Sequence, residues 1–93
     1  MEFDWNDKKY RKVLNERGFG FNYASRVFSD PNKVIEADKR FDYKEERFRV
    51  YDMIDGGVYC VVYTMKGNTF YIITTWKANR REVRYYEENQ VQG

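Results

Sequence analysis

Three apolar runs separated by two tight-turn signals, all within residues 47–77, constrain the fold of this chain most. The runs are RFRVYDMI, VYCVVYTM and TFYIITTW, rich in the β-branched and aromatic residues that are typical of strands. Asp55-Gly56-Gly57 separates the first two runs and Lys66-Gly67-Asn68 the last two, and such short glycine-containing connections favour β-hairpins. The middle run is apolar on both faces, as in a central strand. The pattern therefore predicts a three-stranded antiparallel meander.

Alternation within these runs predicts which side chains share a face of the sheet. In the third run it places Phe70 and Ile72 on the same face as Trp76. The shared face favours a core position for Trp76, and the alternative is a ring that stacks on an RNA base. Cys60 lies in the apolar middle run, and we expect it to be a small buried residue.

Two short helices are predicted before the meander. Asn6 is an N-cap candidate for the first helix, and Gly18 is its C-terminal stop. Asn22 is an N-cap candidate for the second helix, which must end near Asp30 because Pro31 disfavours helical backbone in the residue before it.

A third helix is predicted after the meander. Asn79 and Glu82 have the spacing of a capping box, and Val83 and Tyr86 form a short apolar face behind them. The spacing favours a capping role for Asn79 and Glu82 over a catalytic one.

The remaining segments complete an α+β architecture. Residues 2–5 read as an edge strand, residues 34–35 as a short strand, and the charged stretch 36–46 as a mobile loop. We therefore expect residues 1–93 to form a single domain, an antiparallel sheet with two N-terminal helices and a C-terminal helix packed on it.

Composition excludes several classes of function. The chain has no histidine and one cysteine, which excludes a structural zinc site and any Ser–His or Cys–His nucleophile pair. No metal or cofactor is expected. The formal net charge of +2 permits an acidic partner such as RNA. No apolar run reaches the length of a membrane span and no signal-peptide core is present, so a soluble, cytoplasmic protein without membrane contact is expected.

The remaining polar side chains, Arg, Lys, Tyr and Glu, can cleave RNA without a metal. A base removes the ribose 2′-OH proton, cations stabilise the pentavalent phosphorane, and an acid protonates the leaving 5′-oxygen. Cations mixed with aromatic rings are also what single-stranded RNA binding uses. The candidate residues are Arg47, Arg49, Lys66, Lys77, Arg80 and Arg81, together with Tyr63, Tyr71 and Trp76.

Motifs at both ends of the chain resemble those of the BrnT toxins, the ribonuclease half of type II toxin–antitoxin pairs. The N-terminal part of the pattern falls here on Phe3, Trp5, Asn6, Lys9, Gly18, Phe21, Ala24, Val27, Phe28 and Asp30. The C-terminal part falls on Glu46-Arg47, Lys66-Gly67, the run from Tyr71 to Ala78, Glu82 and Tyr86. The chain departs from the family pattern where Tyr71 and Trp76 stand in place of arginines, Lys66 in place of a turn arginine, and Arg17 in place of a helix histidine.

The resemblance implies a RelE-like fold and a small toxin that cleaves mRNA. Its implied partner is a BrnA-like ribbon-helix-helix antitoxin, with which it would form a hetero-oligomer, or it would form a dimer. In this reading four cations stabilise the phosphate, namely Arg47, Lys66, Lys77 and Arg80. Glu46 or Tyr71 acts as base or acid. Further RNA contacts come from Arg49, Tyr63, Trp76 and Arg81.

Two alternatives stay open at this point. One is a module of the same fold that binds RNA or a protein without cutting. The other is a structural subunit whose aromatic face is an oligomer interface.

Overall fold

The chain forms five strands and three α-helices in the part that the computed structural model describes, residues 1–40, 42 and 44–90. In chain order the elements are β1 (Glu2–Trp5), α1 (Asp7–Arg17), α2 (Phe21–Ala24) continued by a 3₁₀ segment (Ser25–Ser29), β2 (Val34–Ala37), β3 (Phe48–Ile54), β4 (Gly57–Lys66), β5 (Thr69–Lys77) and α3 (Arg80–Glu88). The protein is therefore α+β.

The predicted meander of β3, β4 and β5 is confirmed, with β4 at the centre of the sheet order β1-β5-β4-β3-β2. Asp55 and Gly56 connect β3 to β4 with φ angles of 49° and 86°. Two successive left-handed residues are what a two-residue type I′ hairpin requires, and Asp-Gly is a favoured pair for it. The second hairpin connects β4 to β5 through Gly67 and Asn68.

The two outer strands come from the N-terminal half of the chain. β2 pairs antiparallel with β3, and β1 pairs parallel with β5. The prediction of an edge strand at residues 2–5 is confirmed, but the prediction of a purely antiparallel sheet is wrong. Local alternation predicts a strand but not its neighbour, and the long connection between β1 and β5 is what allows the parallel pairing.

Capping explains the limits of the first two helices. The Asn6 side chain accepts from the Lys9 backbone N–H at 3.0 Å, and Gly18 ends α1 with φ 80°, so both predicted caps of α1 are confirmed. The predicted N-cap of the second helix is wrong, because α2 begins at Phe21 with Gly20 as its N-cap. Asn22 lies inside the first turn, where its side chain accepts from the Tyr10 hydroxyl at 2.9 Å.

Alternation along the strands gives the sheet two apolar faces, each packed against different helices. On one face Val13, Phe21, Ala24, Val27 and Phe28 pack against Val50, Ile54, Val61, Tyr63 and Ile72. On the other face Tyr86 of α3 packs with Val34, Tyr51, Val58 and Cys60, flanked by Trp76 and Val83. Cys60 is buried, as predicted.

A β-bulge in β5 decides the orientation of its C-terminal half. Tyr63 pairs with Ile72 and Val62 pairs with Thr74, so Ile73 is one residue more than β4 can match. Trp76 consequently pairs with Cys60 and faces α3. The prediction that Trp76 shares a face with Ile72 is wrong, because the extra residue reverses the alternation. Its membership of a core cluster is confirmed, although on the opposite face.

The charged stretch between β2 and β3 is more ordered at its ends than the sequence predicts. β2 extends through Ala37, and the Asp38 backbone N–H donates to the Arg47 carbonyl at 2.7 Å. The Thr64 hydroxyl of β4 donates to the Glu46 carbonyl at 2.7 Å. Residues 41 and 43 of the predicted loop lie outside the described residues.

Candidate functional site

The residues predicted to form the site lie in two groups at opposite ends of the β4–β5 hairpin. One group contains Lys66 and Tyr71. The Lys66 ammonium lies 3.7 Å from the centroid of the Tyr71 ring. Thr64 pairs with Tyr71 across the strands, and its hydroxyl holds the backbone of Glu46. This end of the hairpin therefore brings Glu46, Lys66 and Tyr71 into one neighbourhood.

Arg47 and Arg49 lie beside this group but are engaged in ion pairs. Arg49 Nη2 lies 2.8 Å from the Glu36 carboxylate, and its side chain is only 19% exposed. Arg47 Nη2 lies 3.5 Å from the Glu45 carboxylate. Acidic neighbours therefore offset much of the charge that these two arginines bring.

The second group contains Trp76 and Lys77 at the end of β5, followed by Arg80 and Arg81 in the first turn of α3. Tyr71 and Lys77 pair with β4 residues five positions apart, Thr64 and Tyr59, which corresponds to about 17 Å along a strand. One phosphate cannot contact both Lys66 and Lys77 across that distance. The predicted constellation is thus two separate groups rather than one centre.

Tyr63 belongs to neither group. It is 5% exposed, and its ring packs against Phe28, Phe48 and Phe70 with centroid distances of 5.0, 5.6 and 5.5 Å. Little of the ring is left accessible to a nucleobase, so Tyr63 packs as a core residue.

Two adjoining grooves open at the end of β5, and both are lined by Arg17 and Lys77. The first has a volume of about 530 Å³ and is otherwise lined by Gly18, Phe19, Tyr23 and Tyr59. The second has a volume of about 330 Å³ and is otherwise lined by Arg40, Trp76, Asn79 and Glu82. We call the two together the β5-end groove. It combines cations with aromatic rings, which is the composition of a single-strand binding surface.

Sequence reasoning missed four of the cationic and tyrosine residues of this groove as site residues, namely Arg17, Tyr23, Arg40 and Tyr59. Arg17 was noted only as a departure from the family pattern, and Tyr23, Arg40 and Tyr59 were not noted. The Tyr59–Lys77 pairing follows from the hairpin at Gly67 only after the bulge in β5 is counted. Arg17 carries no local signal, because helix packing alone brings the end of α1 to the end of β5.

Cations without an acidic partner lie at the β5-end groove and in the first turn of α3. Among the described residues, ion pairs to acidic side chains involve Arg26, Arg40, Arg47 and Arg49. In the same part of the chain no such pair is formed by Arg17, Lys77, Arg80 or Arg81. The absence of a compensating carboxylate leaves their charge available to an anion.

Most charges of α3 are arranged against the helix dipole, although Glu82 in the first turn is placed favourably. Arg80 and Arg81 occupy the first turn, where acidic side chains are favoured, and Glu87 and Glu88 occupy the last turn, where basic ones are favoured. Each such placement costs about 0.3–1 kcal/mol at an exposed site. The two arginines are therefore not explained by the stability of α3, and they stand directly beyond the groove.

The comparison with known families decides the identity. A family model described as the ribonuclease toxin BrnT of type II toxin–antitoxin systems matches residues 5–82. The chain belongs to the BrnT toxin family. The prediction made from its sequence motifs is confirmed, and an antitoxin partner and an RNA substrate follow as classes from the family. A search of curated proteins gives no significant match.

The Tyr23 hydroxyl on the groove wall of this BrnT-family protein is a donor rather than a base. Tyr23 donates to the Asp55 carboxylate at 3.0 Å, and Arg26 donates to the same carboxylate at 3.0 Å. Partial burial, followed by the hydrogen bonds with Asp55 and Tyr59, raises the pKa of Tyr23 to about 12. Tyr23 is therefore neutral at physiological pH and shapes the wall of the groove.

Trp76 and Glu82 close the other side of the groove. The predicted capping box is confirmed, with the Glu82 N–H donating to Asn79 Oδ1 and the Asn79 N–H donating to Glu82 Oε1, both at 2.9 Å. The Trp76 indole N–H also donates to both Glu82 oxygens at 3.1 Å. The only carboxylate among the described groove residues is thus already engaged.

None of the described helices is long and apolar enough to span a membrane.

Proposed function

We propose that this BrnT-family toxin is a metal-independent endoribonuclease that cleaves mRNA, and that the RNA backbone binds in the β5-end groove. The observation that carries the proposal is that Arg17 and Lys77, which form no ion pair among the described residues, line one groove together with aromatic rings at the end of β5. Arg17 and Lys77 would pair with phosphates in the groove, and Arg80 and Arg81 would extend the contact past the start of α3.

The chemistry would take place at the other end of the β4–β5 hairpin. An RNA strand that runs along the hairpin from the groove reaches Lys66, whose ammonium would stabilise the phosphorane together with Arg47. Glu46 would remove the 2′-OH proton and Tyr71 would protonate the leaving 5′-oxygen, or the reverse. Binding and chemistry would then be separate functions of the two residue groups.

The fold and the setting of the protein extend the same proposal. We infer a RelE-like fold, a cytoplasmic location where mRNA is available, and a BrnA-like ribbon-helix-helix antitoxin as the inhibitor. An antitoxin segment that covers the β5-end groove would block RNA from its backbone anchor.

A second candidate function is a module that binds RNA or a protein without cutting. The separation of about 17 Å along the strand between Tyr71 and Lys77 favours it, because the cations of the groove then lie too far from Tyr71 to stabilise charge at a phosphate on which Tyr71 acts.

Induced expression separates the two functions. The proposal expects slowed growth and fragmented cellular RNA, and purified protein is expected to cut RNA in EDTA and to leave 2′,3′-cyclic phosphate ends. Intact transcripts with normal growth would support the binding module. A requirement for divalent ions, or equal cutting of DNA, would reject the mechanism.

Paired variants test whether one end of the β4–β5 hairpin carries the chemistry and the other end binds RNA. Tyr71→Phe is expected to lower the cleavage rate while RNA affinity stays near wild type. Lys77→Ala is expected to lower RNA affinity and to flatten its salt dependence by about 0.7 in the log–log slope, the value for one phosphate contact with a single strand. Lys12→Ala, which removes an exposed lysine that lines neither part of the groove, is the control.

A further inference from the structure

We propose that Arg40, from the connection between β2 and β3, is a phosphate-binding residue of the β5-end groove and that Asp38 and Trp76 hold its guanidinium in position. The proposal rests on the proposed binding of RNA in this groove. Nothing in the sequence pattern pointed to Arg40, which lies in a charged stretch without periodicity.

Asp38 fixes the guanidinium from the buried side. Arg40 Nε lies 2.8 Å from Asp38 Oδ1, and Nη2 lies 2.8 Å from Oδ2, which is a bidentate pair. The Asp38 side chain is 0% exposed, whereas that of Arg40 is 41% exposed. The hydrogen bond from Arg40 holds the pKa of the Asp38 carboxyl below its usual range, so the pair stays charged at neutral pH. Asp38 therefore acts as a fixed support beneath an accessible guanidinium.

The Trp76 ring, which also lines the groove, contacts the Arg40 guanidinium. Arg40 Cζ lies 5.3 Å from the centroid of the Trp76 ring, within the range of a cation–π contact. The ring cannot turn freely, since its N–H is bound to the Glu82 carboxylate, which also caps α3. Three segments of the chain thus set the position of one arginine. An arginine already ordered in this way loses little side-chain entropy when it binds a phosphate.

The groove around Arg40 fits a phosphate. Arg40 lines it together with Arg17 and Lys77, and the Glu82 carboxylate accepts hydrogen bonds from Trp76 and Asn79 instead of pairing with a cation. Arg40 differs from Arg49 in its position, because the Arg49 side chain is only 19% exposed and lies outside the groove lining. The geometry therefore adds one fork-shaped donor to the two cations assigned above.

The test measures binding of a labelled single-stranded oligouridylate by anisotropy at several salt concentrations. Arg40→Gln is expected to lower the affinity about tenfold and to flatten the log–log salt slope by about 0.7. Arg40→Lys is expected to keep the wild-type slope but to bind several-fold more weakly, because lysine lacks the planar fork. Asp38→Asn is expected to weaken binding with the slope unchanged, because it loosens the support and leaves the arginine in place.

Arg84→Gln is the matched control, since it removes an exposed arginine that lines neither part of the groove. Its slope should remain wild type. A wild-type slope in Arg40→Gln would overturn the proposal, as would equal effects in Arg40→Gln and Arg84→Gln. If Arg40→Gln fails to fold, Arg40→Lys decides, and wild-type affinity in that variant would overturn it.

The same titration separates this inference from the proposed function. If the wild-type protein does not bind the oligouridylate, RNA binding in the groove fails and the role of Arg40 fails with it. If the wild type binds and Lys77→Ala weakens binding while Arg40→Gln does not, only the role of Arg40 is rejected.

Discussion

The Glu82 side chain joins the end of β5 to the N-terminus of α3. Its carboxylate accepts from the Asn79 N–H at 2.9 Å and from the Trp76 indole N–H at 3.1 Å. The first contact closes the capping box, and the second ties the end of β5 to the start of α3. The spacing of Asn79 and Glu82 predicts the cap but carries no information about Trp76.

The first prediction compares the two capping residues. Asn79→Ala should lower the free energy of unfolding by about 1 kcal/mol through loss of the cap. Glu82→Ala should cost more, because it also leaves the half-buried Trp76 N–H without its acceptor. Urea denaturation of the two variants measures the difference. A smaller loss for Glu82→Ala than for Asn79→Ala would contradict it.

At the scale of elements, a buried hydrogen bond fixes α3 on the sheet. The Tyr86 hydroxyl donates to Asp52 Oδ1 at 3.0 Å, and the two residues are 6% and 1% exposed. Burial raises the pKa of Asp52, although the hydrogen bond from Tyr86 acts in the opposite direction. The polar residue that interrupts the apolar alternation of β3 is therefore a contact point for α3.

The second prediction follows from the raised pKa of Asp52. The folded state binds the proton more tightly than the unfolded chain, whose aspartates titrate at about 3.9. Ionisation of Asp52 therefore lowers stability as pH rises from that value through the raised folded pKa. Asp52→Asn removes this loss, so its stability relative to wild type should increase over that interval. Urea denaturation from pH 4 to 7 measures the difference.

The difference in stability between wild type and Asp52→Asn isolates Asp52, because the lowered pKa values of Asp38 and Asp55 affect both proteins in the same way.

Tyr86→Phe is the companion variant. It should lose about 1–3 kcal/mol of stability, because the buried Asp52 side chain no longer accepts from the Tyr86 hydroxyl. A pH-independent difference between Asp52→Asn and wild type would refute this account.

At the scale of the whole molecule, the excess positive charge lies on α1. This helix carries five basic residues and two acidic ones, a net charge of +3, whereas the whole chain carries +2. Its last residue, Arg17, lines the β5-end groove. The positive charge of α1 therefore reaches the groove through its last residue.

The third prediction concerns the antitoxin proposed above. Its segment that covers the groove should be largely acidic, and its binding should weaken with salt. The double variant Arg17→Glu/Lys77→Glu should bind the proposed BrnA-like antitoxin far more weakly, and the wild-type complex should no longer bind RNA. Calorimetry and RNA titration of the purified complex measure both effects. Unchanged partner affinity in the double variant would place the antitoxin elsewhere.

The sequence by itself determined the features that depend on neighbouring residues. The two hairpins, the caps at Asn6, Gly18 and Asn79, and the central strand β4 are all local, because turn backbone, helix termini and alternation are decided within a few residues. The family also follows from short motifs. These features fix the α+β architecture and the class of function.

Only the tertiary structure decided which functional residues meet. One extra residue at Ile73 reverses the alternation of β5, places Trp76 under α3, and lets Arg40 from a distant segment lie over its ring. The same register puts Lys66 and Lys77 at opposite ends of the hairpin. These outcomes depend on pairing and packing between segments far apart in the chain, which residue spacing does not encode.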